Sequence, residues 1–221
     1  MELFWYISDA KVDILRQTLP RTWTQDLVLK LKFKAPWLEA EIGHRDIDAA
    51  VSNANLIERT LQRDKLQELK PFTRLSDQDS PVFMRFRGRA ARMISEEGYW
   101  VALHDDGVAL LLGGSVAHAI GAQAAPTGHI SPSINPFGTA ASLNSAGDRK
   151  TVSENMAYVW QETWRTGVGT QGASAPTVEG IALFAGRFPA VRSQMRRVGQ
   201  SAIEHLVVGS PIFVRQVAFT S

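Results

Sequence analysis

The sequence contains no cysteine. That excludes disulfide scaffolds, cysteine-ligated zinc, iron–sulfur clusters and thiol catalysis, and it leaves the redox compartment unread. The chain begins Met1-Glu2-Leu3-Phe4-Trp5-Tyr6-Ile7-Ser8-Asp9, without a basic leader or a long apolar run closed by small residues. A secretory signal is therefore not expected, and a cytoplasmic location is. A membrane span is not expected either. The one tempting segment, Gly107 to Ala125, is uncharged but is broken by Gly113-Gly114-Ser115 and carries His118 and Gln123. Charge is missing over a longer region still. From Gly107 to Gly147 there is no Asp, Glu, Lys or Arg, where the chain's 21% of charged residues would place about nine.

What is present is enough for a sizeable core: 221 residues, 44% of them hydrophobic. The 24 cations and 22 anions nearly cancel, so net charge names no partner. Seventeen of those cations are arginine, the side chain better suited to paired and phosphate-facing roles.

Glu2 to Ile7 reads as a strand, and Asp9 as the cap of a short helix, Ala10 to Leu19, stopped by Pro20. Leu27, Leu29, Leu31 and Phe33 alternate with Val28, Lys30, Lys32 and Lys34, the pattern of a half-buried strand. Arg45 to Lys70 lacks Gly and Pro and has apolar residues near helical spacing. A β-meander follows: Pro81 to Ile94, Tyr99 to His104 and Val108 to Leu112, joined by Ser95-Glu96-Glu97-Gly98 and Asp105-Asp106-Gly107. Thr151-Val152-Ser153-Glu154 fits a capping box ahead of the stripe Val152, Met156, Val159, Trp160 and Trp164. Val178 to Phe188 reads as extended, Val191 to Ala202 as a helix, and Leu206 to Phe219 as extended with Gly209-Ser210-Pro211 interrupting it. The expected class is α+β: a mainly antiparallel or mixed sheet with a central meander at about 81–112 and three to four packed helices. One domain is expected over 1–221, with a long uncharged loop at about 123–147, a lid or an interface.

Two cationic ladders are the most specific partner signal. Lys30, Lys32 and Lys34 share one strand face, and Arg85, Arg87 and Arg89 share another. Like charges side by side call for an anion, such as a nucleotide, a nucleic acid or an acidic partner, unless they are solvated outer faces or are neutralised by Glu39 and Glu41. Gly113 and Gly114 before Ser115 resemble a strand end opening a helix, whose free N–H groups could hold a phosphate. Ser115 and His118, three apart, are the candidate nucleophile and base of a hydrolase or transferase; a capped turn explains the same residues. His44-Arg45-Asp46-Ile47-Asp48 and His104-Asp105-Asp106 offer metal-ligand types, but helix-start and hairpin-turn preferences account for both, so neither metal nor cofactor is expected. His205 with Glu204, and Ser210, form a further candidate site near the C-terminus, although Gly209-Ser210-Pro211 inside an apolar strand reads as a bulge or strand start before it reads as a nucleophile.

The segments Phe4-Trp5-Tyr6-Ile7-Ser8-Asp9-Ala10-Lys11-Val12-Asp13-Ile14-Leu15, Leu110-Leu111-Leu112-Gly113-Gly114-Ser115 and Val207-Val208-Gly209-Ser210-Pro211-Ile212-Phe213-Val214-Arg215-Gln216 resemble an uncharacterised bacterial family, mostly actinobacterial. The resemblance implies a bacterial cytoplasmic protein of one domain, an accessory or effector in signalling or defence. It directs attention to Ser8, Lys11 and Ser210, with Lys11 as a candidate anion ligand. The leading expectation is an anion-binding protein. The alternatives are an enzyme built on Ser115 and His118, and a homo-oligomer or scaffold whose uncharged loops form the interface.

Overall fold

The computed structural model describes residues 3–8, 11, 69–76, 78–79, 83–95, 98–120, 151–171, 175–191 and 202–217. Lys30, Lys32, Lys34, Glu39, Glu41, the His44–Asp48 cluster, the loop at 123–147 and most of the helices expected near 10–19, 45–70 and 191–202 lie outside the described residues.

The meander forms as its turn chemistry dictates. Strand β3 (Phe83–Ser95) pairs antiparallel with β4 (Gly98–Asp105), which pairs antiparallel with β5 (Val108–Gly114). Between β4 and β5, Asp106 and Gly107 both take positive φ, 46° and 72°. This is the two-residue turn whose twist matches the flanking strands. Along β3 the period-two pattern is expressed in burial: Met84, Phe86 and Ala90 are buried, while Arg85, Arg87 and Arg89 are exposed.

The meander does not stay open. β6 (Thr177–Pro189) pairs antiparallel with the first half of β3, Phe83 to Arg89, leaving the second half of β3 to β4. β6 also pairs along its length with β7 (His205–Gln216), and β7 runs parallel to β5. The ring β3-β4-β5-β7-β6 therefore closes on itself as a five-stranded barrel with a Greek-key winding. Two short strands attach to it. β1 (Leu3–Ile7) pairs with the end of β7, and β2 (Lys70–Pro71) lies parallel to the start of β3. Register shifts on the β6–β7 ladder, between Ile181 and Ala182 and between Phe184 and Gly186, bend both strands around the corner where β7 leaves β5 and takes up β1.

The α+β expectation is thus overturned. Among the described residues there are seven strands and one α-helix, α1 (Val152–Gln171), and the sheet buries its inner face by closing on itself rather than by lying under three or four helices. The barrel interior holds Met84, Phe86, Tyr99, Val101, Leu103, Leu110, Leu112, Val178, Phe184 and Val207. The outer face of β4, β5 and early β7 carries Trp100, Ala102, Ala109, Leu111, Leu206 and Val208, and these meet Met156, Val159 and Trp160 of α1. Gly167 permits close approach: a Cβ there would stand 2.5 Å from that of Ala91. Trp160 Nε1 donates to the Leu103 carbonyl at 3.1 Å, and its ring stacks on Trp164 at 5.6 Å.

The capping box forms reciprocally. Thr151 N donates to Glu154 Oε2 at 2.7 Å, and Glu154 N donates to Thr151 Oγ1 at 3.3 Å. Thr151→Ala removes one half of it, and should lower unfolding stability by about 1 kcal/mol in urea denaturation with an unchanged m-value.

Candidate functional site

Two regions collect the polar side chains singled out in the sequence. The first is the outer face of β3 and β6. Register places Arg87, Glu179 and Arg215 in one row across β3, β6 and β7. Glu179 is engaged by Arg215, whose Nε and Nη2 reach Oε1 at 2.9 and 2.8 Å. Arg87 Nη1 stands 3.9 Å from Glu179 Oε2, with 67% of its side chain exposed. A contact that long and exposed compensates little charge. Arg85 donates through Nε to the Leu69 carbonyl at 3.3 Å, which orients the guanidinium without neutralising it. Beside these arginines runs a groove of about 360 Å³ lined by Pro71, Thr73, Arg85, Arg87, Asp105 and Glu179, with Phe72 and Phe86 buried beneath it. Glu179, Arg215 and Asp105 were not legible as partners of the ladder, because only the order β3-β6-β7 and the hairpin end bring them there.

The second region is one end of the barrel, where β1, the end of β5 and the corner of β7 meet. The three sequence segments that carry the family resemblance converge here. Ser8 N donates to the Ile212 carbonyl at 2.8 Å, Lys11 Nζ to the Pro211 carbonyl at 2.8 Å, and Ser210 Oγ to the Gly113 carbonyl at 3.0 Å. Gly113 and Gly114 are the last residues of β5, laddered to Trp100 and Tyr99. The space a side chain would take at Gly114 is occupied by the Tyr6 ring, 2.6–2.7 Å from an ideal Cβ. Close packing of an aromatic ring thus accounts for this glycine, and the helix expected after it is the single 3₁₀ turn Val116–His118.

Ser115 and His118 stand on that turn, joined through the main chain by His118 N and Ser115 O at 3.1 Å, with the His118 ring edge-on to Tyr6 at 5.9 Å. Tyr6 stacks on Tyr99 at 5.1 Å, and Lys11 Nζ lies 5.5 Å from the Tyr6 centroid. Arg92 lies over Trp5 at 5.0 Å. Lys11 is only 7% exposed, and burial lowers its pKa to about 7. The same desolvation pushes the Tyr99 phenol well above its usual range, with Arg92 opposing the shift.

His104 belongs to neither region. It packs edge-on against Trp164 at 4.9 Å, and burial holds its pKa below the ordinary value. Asp105 and Asp106 complete the hairpin turn, and no metal-competent cluster occurs among the described residues. No helix among the described residues is long and apolar enough to cross a membrane.

Among curated proteins and among solved structures nothing matches the chain. A model described as a family of unknown function, DUF7019, matches residues 2–218, so nearly the whole chain is covered and the chain belongs to that uncharacterised family.

Proposed function

We propose that this protein binds an anionic ligand, a nucleotide or a nucleic acid, on the outer face of β3 and β6. The observation that carries the reading is the set Arg85, Arg87 and Arg89, exposed at alternate positions of one strand, with Arg87 only 3.9 Å from a Glu179 carboxylate that Arg215 holds more closely. Positive charge held beside a groove attracts and orients anions. The groove, at about 360 Å³, is in the size range of small-ligand sites, which favours a mononucleotide-sized group over a polymer tracked along its length.

The barrel narrows the choice of face. By analogy at the level of fold alone, five-stranded Greek-key barrels of the OB type bind oligonucleotides on the outer face of their second and third strands. In this chain those strands are β4 and β5, and α1 covers that face. The exposed arginines instead lie on the half of β3 that pairs with β6, ahead of Ala91, where α1 packs. The bacterial, cytoplasmic setting and the accessory role in signalling or defence implied by the sequence resemblance belong to this same reading.

The test is fluorescence anisotropy with a labelled mononucleotide and a labelled single-stranded oligonucleotide, each at two salt concentrations. Replacing Arg85, Arg87 and Arg89 together by Glu should weaken binding by about 100-fold or more, because several charge-assisted contacts are lost and then reversed. A steep salt dependence for the oligonucleotide alone identifies nucleic acid as the ligand; a shallow one with the mononucleotide bound identifies the nucleotide. Binding that survives the triple charge reversal overturns the reading.

A further inference from the structure

The barrel end described above contains an arrangement that packing does not explain. Lys11 is buried, and among the described residues its contacts are the Pro211 carbonyl and the Tyr6 ring, with no carboxylate paired to it. At the same barrel end two hydroxyls are fully buried with no hydrogen-bond partner: Ser8 Oγ, whose main-chain N–H is fixed one residue along from the Lys11 anchor, and the Tyr99 hydroxyl, on the ring stacked against Tyr6. Leaving one buried polar atom unsatisfied costs about 1–3 kcal/mol, and native structures show few. Trp100, Gln161 and Thr163 also carry such atoms, but they belong to β4 and α1, away from any buried ammonium. Among the described residues, two orphaned hydroxyls accompany a buried amine only at the barrel end.

The two hydroxyls lack a hydrogen-bond partner and the amine, anchored on a neutral carbonyl, lacks a counter-charge among the described residues; an acceptor that carries negative charge meets both needs. Arg92, on β3, adds a second cation that acts on Tyr99. Of the described carboxylates, Asp105, Asp106 and Glu204 belong to the opposite end, where Glu204 N donates to the Gly107 carbonyl, while Glu179, Asp79 and Glu162 are engaged by Arg215, Lys70 and Arg165, and Glu154 caps α1. We propose that the barrel end between Lys11, Ser8 and Tyr99 is a second binding site, for the oxyanion group of a small ligand, a carboxylate or a phosphate. Mouths of small barrels are common ligand sites, and an oxyanion supplies the missing counter-ion and the missing acceptors at once.

The proposal does not rest on the arginine face, and its test separates the two. Thermal unfolding is followed at constant ionic strength while chloride is exchanged for inorganic phosphate or for acetate, up to 50 mM. The wild-type protein should gain about 4 °C or more in Tm with one or both anions, as expected of millimolar binding to the native state. A gain with phosphate alone names a phosphate ligand, and one with acetate alone a carboxylate. Tyr99→Phe and Ser8→Ala each remove one donor with little change of shape, and should cut the apparent affinity at least tenfold. Arg85→Glu with Arg87→Glu removes whatever the arginine face contributes to the gain, and a gain of several degrees should survive in that background and be lost when Tyr99→Phe or Ser8→Ala is added to it; a gain abolished by the arginine reversals alone overturns the proposal. Equal Tm in chloride, phosphate and acetate overturns the proposal. So does an undiminished gain in both Tyr99→Phe and Ser8→Ala.

Discussion

Gly180→Ala should destabilise the protein by about 3 kcal/mol or more, close to the upper end of what overpacking costs in a core. Gly180 lies on β6 at the seam that closes the barrel, opposite Phe86 on β3 and Val214 on β7. A methyl group added there would collide with the Phe213 carbonyl oxygen and come within 2.6 Å of the Phe86 ring. The ring has some freedom to give way. The carbonyl does not, because it belongs to a strand tied to β6 on one side and β1 on the other. Relief must therefore come from parting β6 from its neighbours, which opens the ladders by which the barrel closes between β3 and β7. Gly209→Ala, whose Cβ would meet Met84 and stand 2.8 Å from the Leu183 carbonyl, should behave alike. Gly88→Ala is the control. Its nearest neighbour is the flexible end of Leu103 at 3.2 Å, so a loss of about 1 kcal/mol is expected. Urea denaturation of the three variants, compared at constant m-value, checks the order. Equal losses at Gly180 and Gly88 would show that the seam yields more easily than its ladder implies.

The same seam explains which parts of the fold were legible from sequence. Alternation along β3, the Asp106-Gly107 turn and the Thr151–Glu154 box are written within a few residues of one another, and each forms as its local chemistry requires. Closure depends on pairing Phe83 to Arg89 with Thr177 to Leu183, almost a hundred residues away, and no local pattern announces it. With the sheet taken as open, its inner apolar face seemed to need several helices. Once it closes, that face is buried against itself and α1 suffices for the outer one among the described residues. The candidate site divides along the same line. The arginine ladder is a period-two feature, whereas the engagement of Glu179 with Arg215 follows from strand order. Gly113-Gly114-Ser115 was ambiguous for a related reason. The motif of a glycine pair before a serine is the same whether the glycines cradle a ligand or make room for a ring, and the ring that fills the space, Tyr6, comes from the other end of the chain.

Lys11 provides the second large effect, through the dependence of stability on pH. Its native pKa is lowered by burial to about 7 from the 10.5 of an unhindered lysine. Between those two values the unfolded chain binds a proton that the native protein does not, so stability rises with pH across the window. Below pH 7 both states hold the proton, and the cost of burying the ammonium is felt in full. Lys11→Met keeps the length and apolar stem of the side chain and removes the charge. It forfeits the hydrogen bond to the Pro211 carbonyl, a loss of about 1 kcal/mol, against a desolvation cost of a few kcal/mol. The variant should therefore be more stable than the wild type by about 2 kcal/mol at pH 6, and that advantage should shrink to nothing or reverse by pH 9–10, where Lys11 in the native protein is neutral. Other groups titrate over this range, but they do so in both proteins, so the difference between the two urea denaturation series isolates Lys11. His118 and Tyr99, the titratable groups nearest the Tyr6 ring that Lys11 overlies, are shared by both proteins, as is the cation Arg92. A variant less stable than the wild type at pH 6 would mean that the native fold already compensates the ammonium. The predicted gain instead marks Lys11 as a residue kept at the expense of stability, the mark of a side chain retained for what it binds.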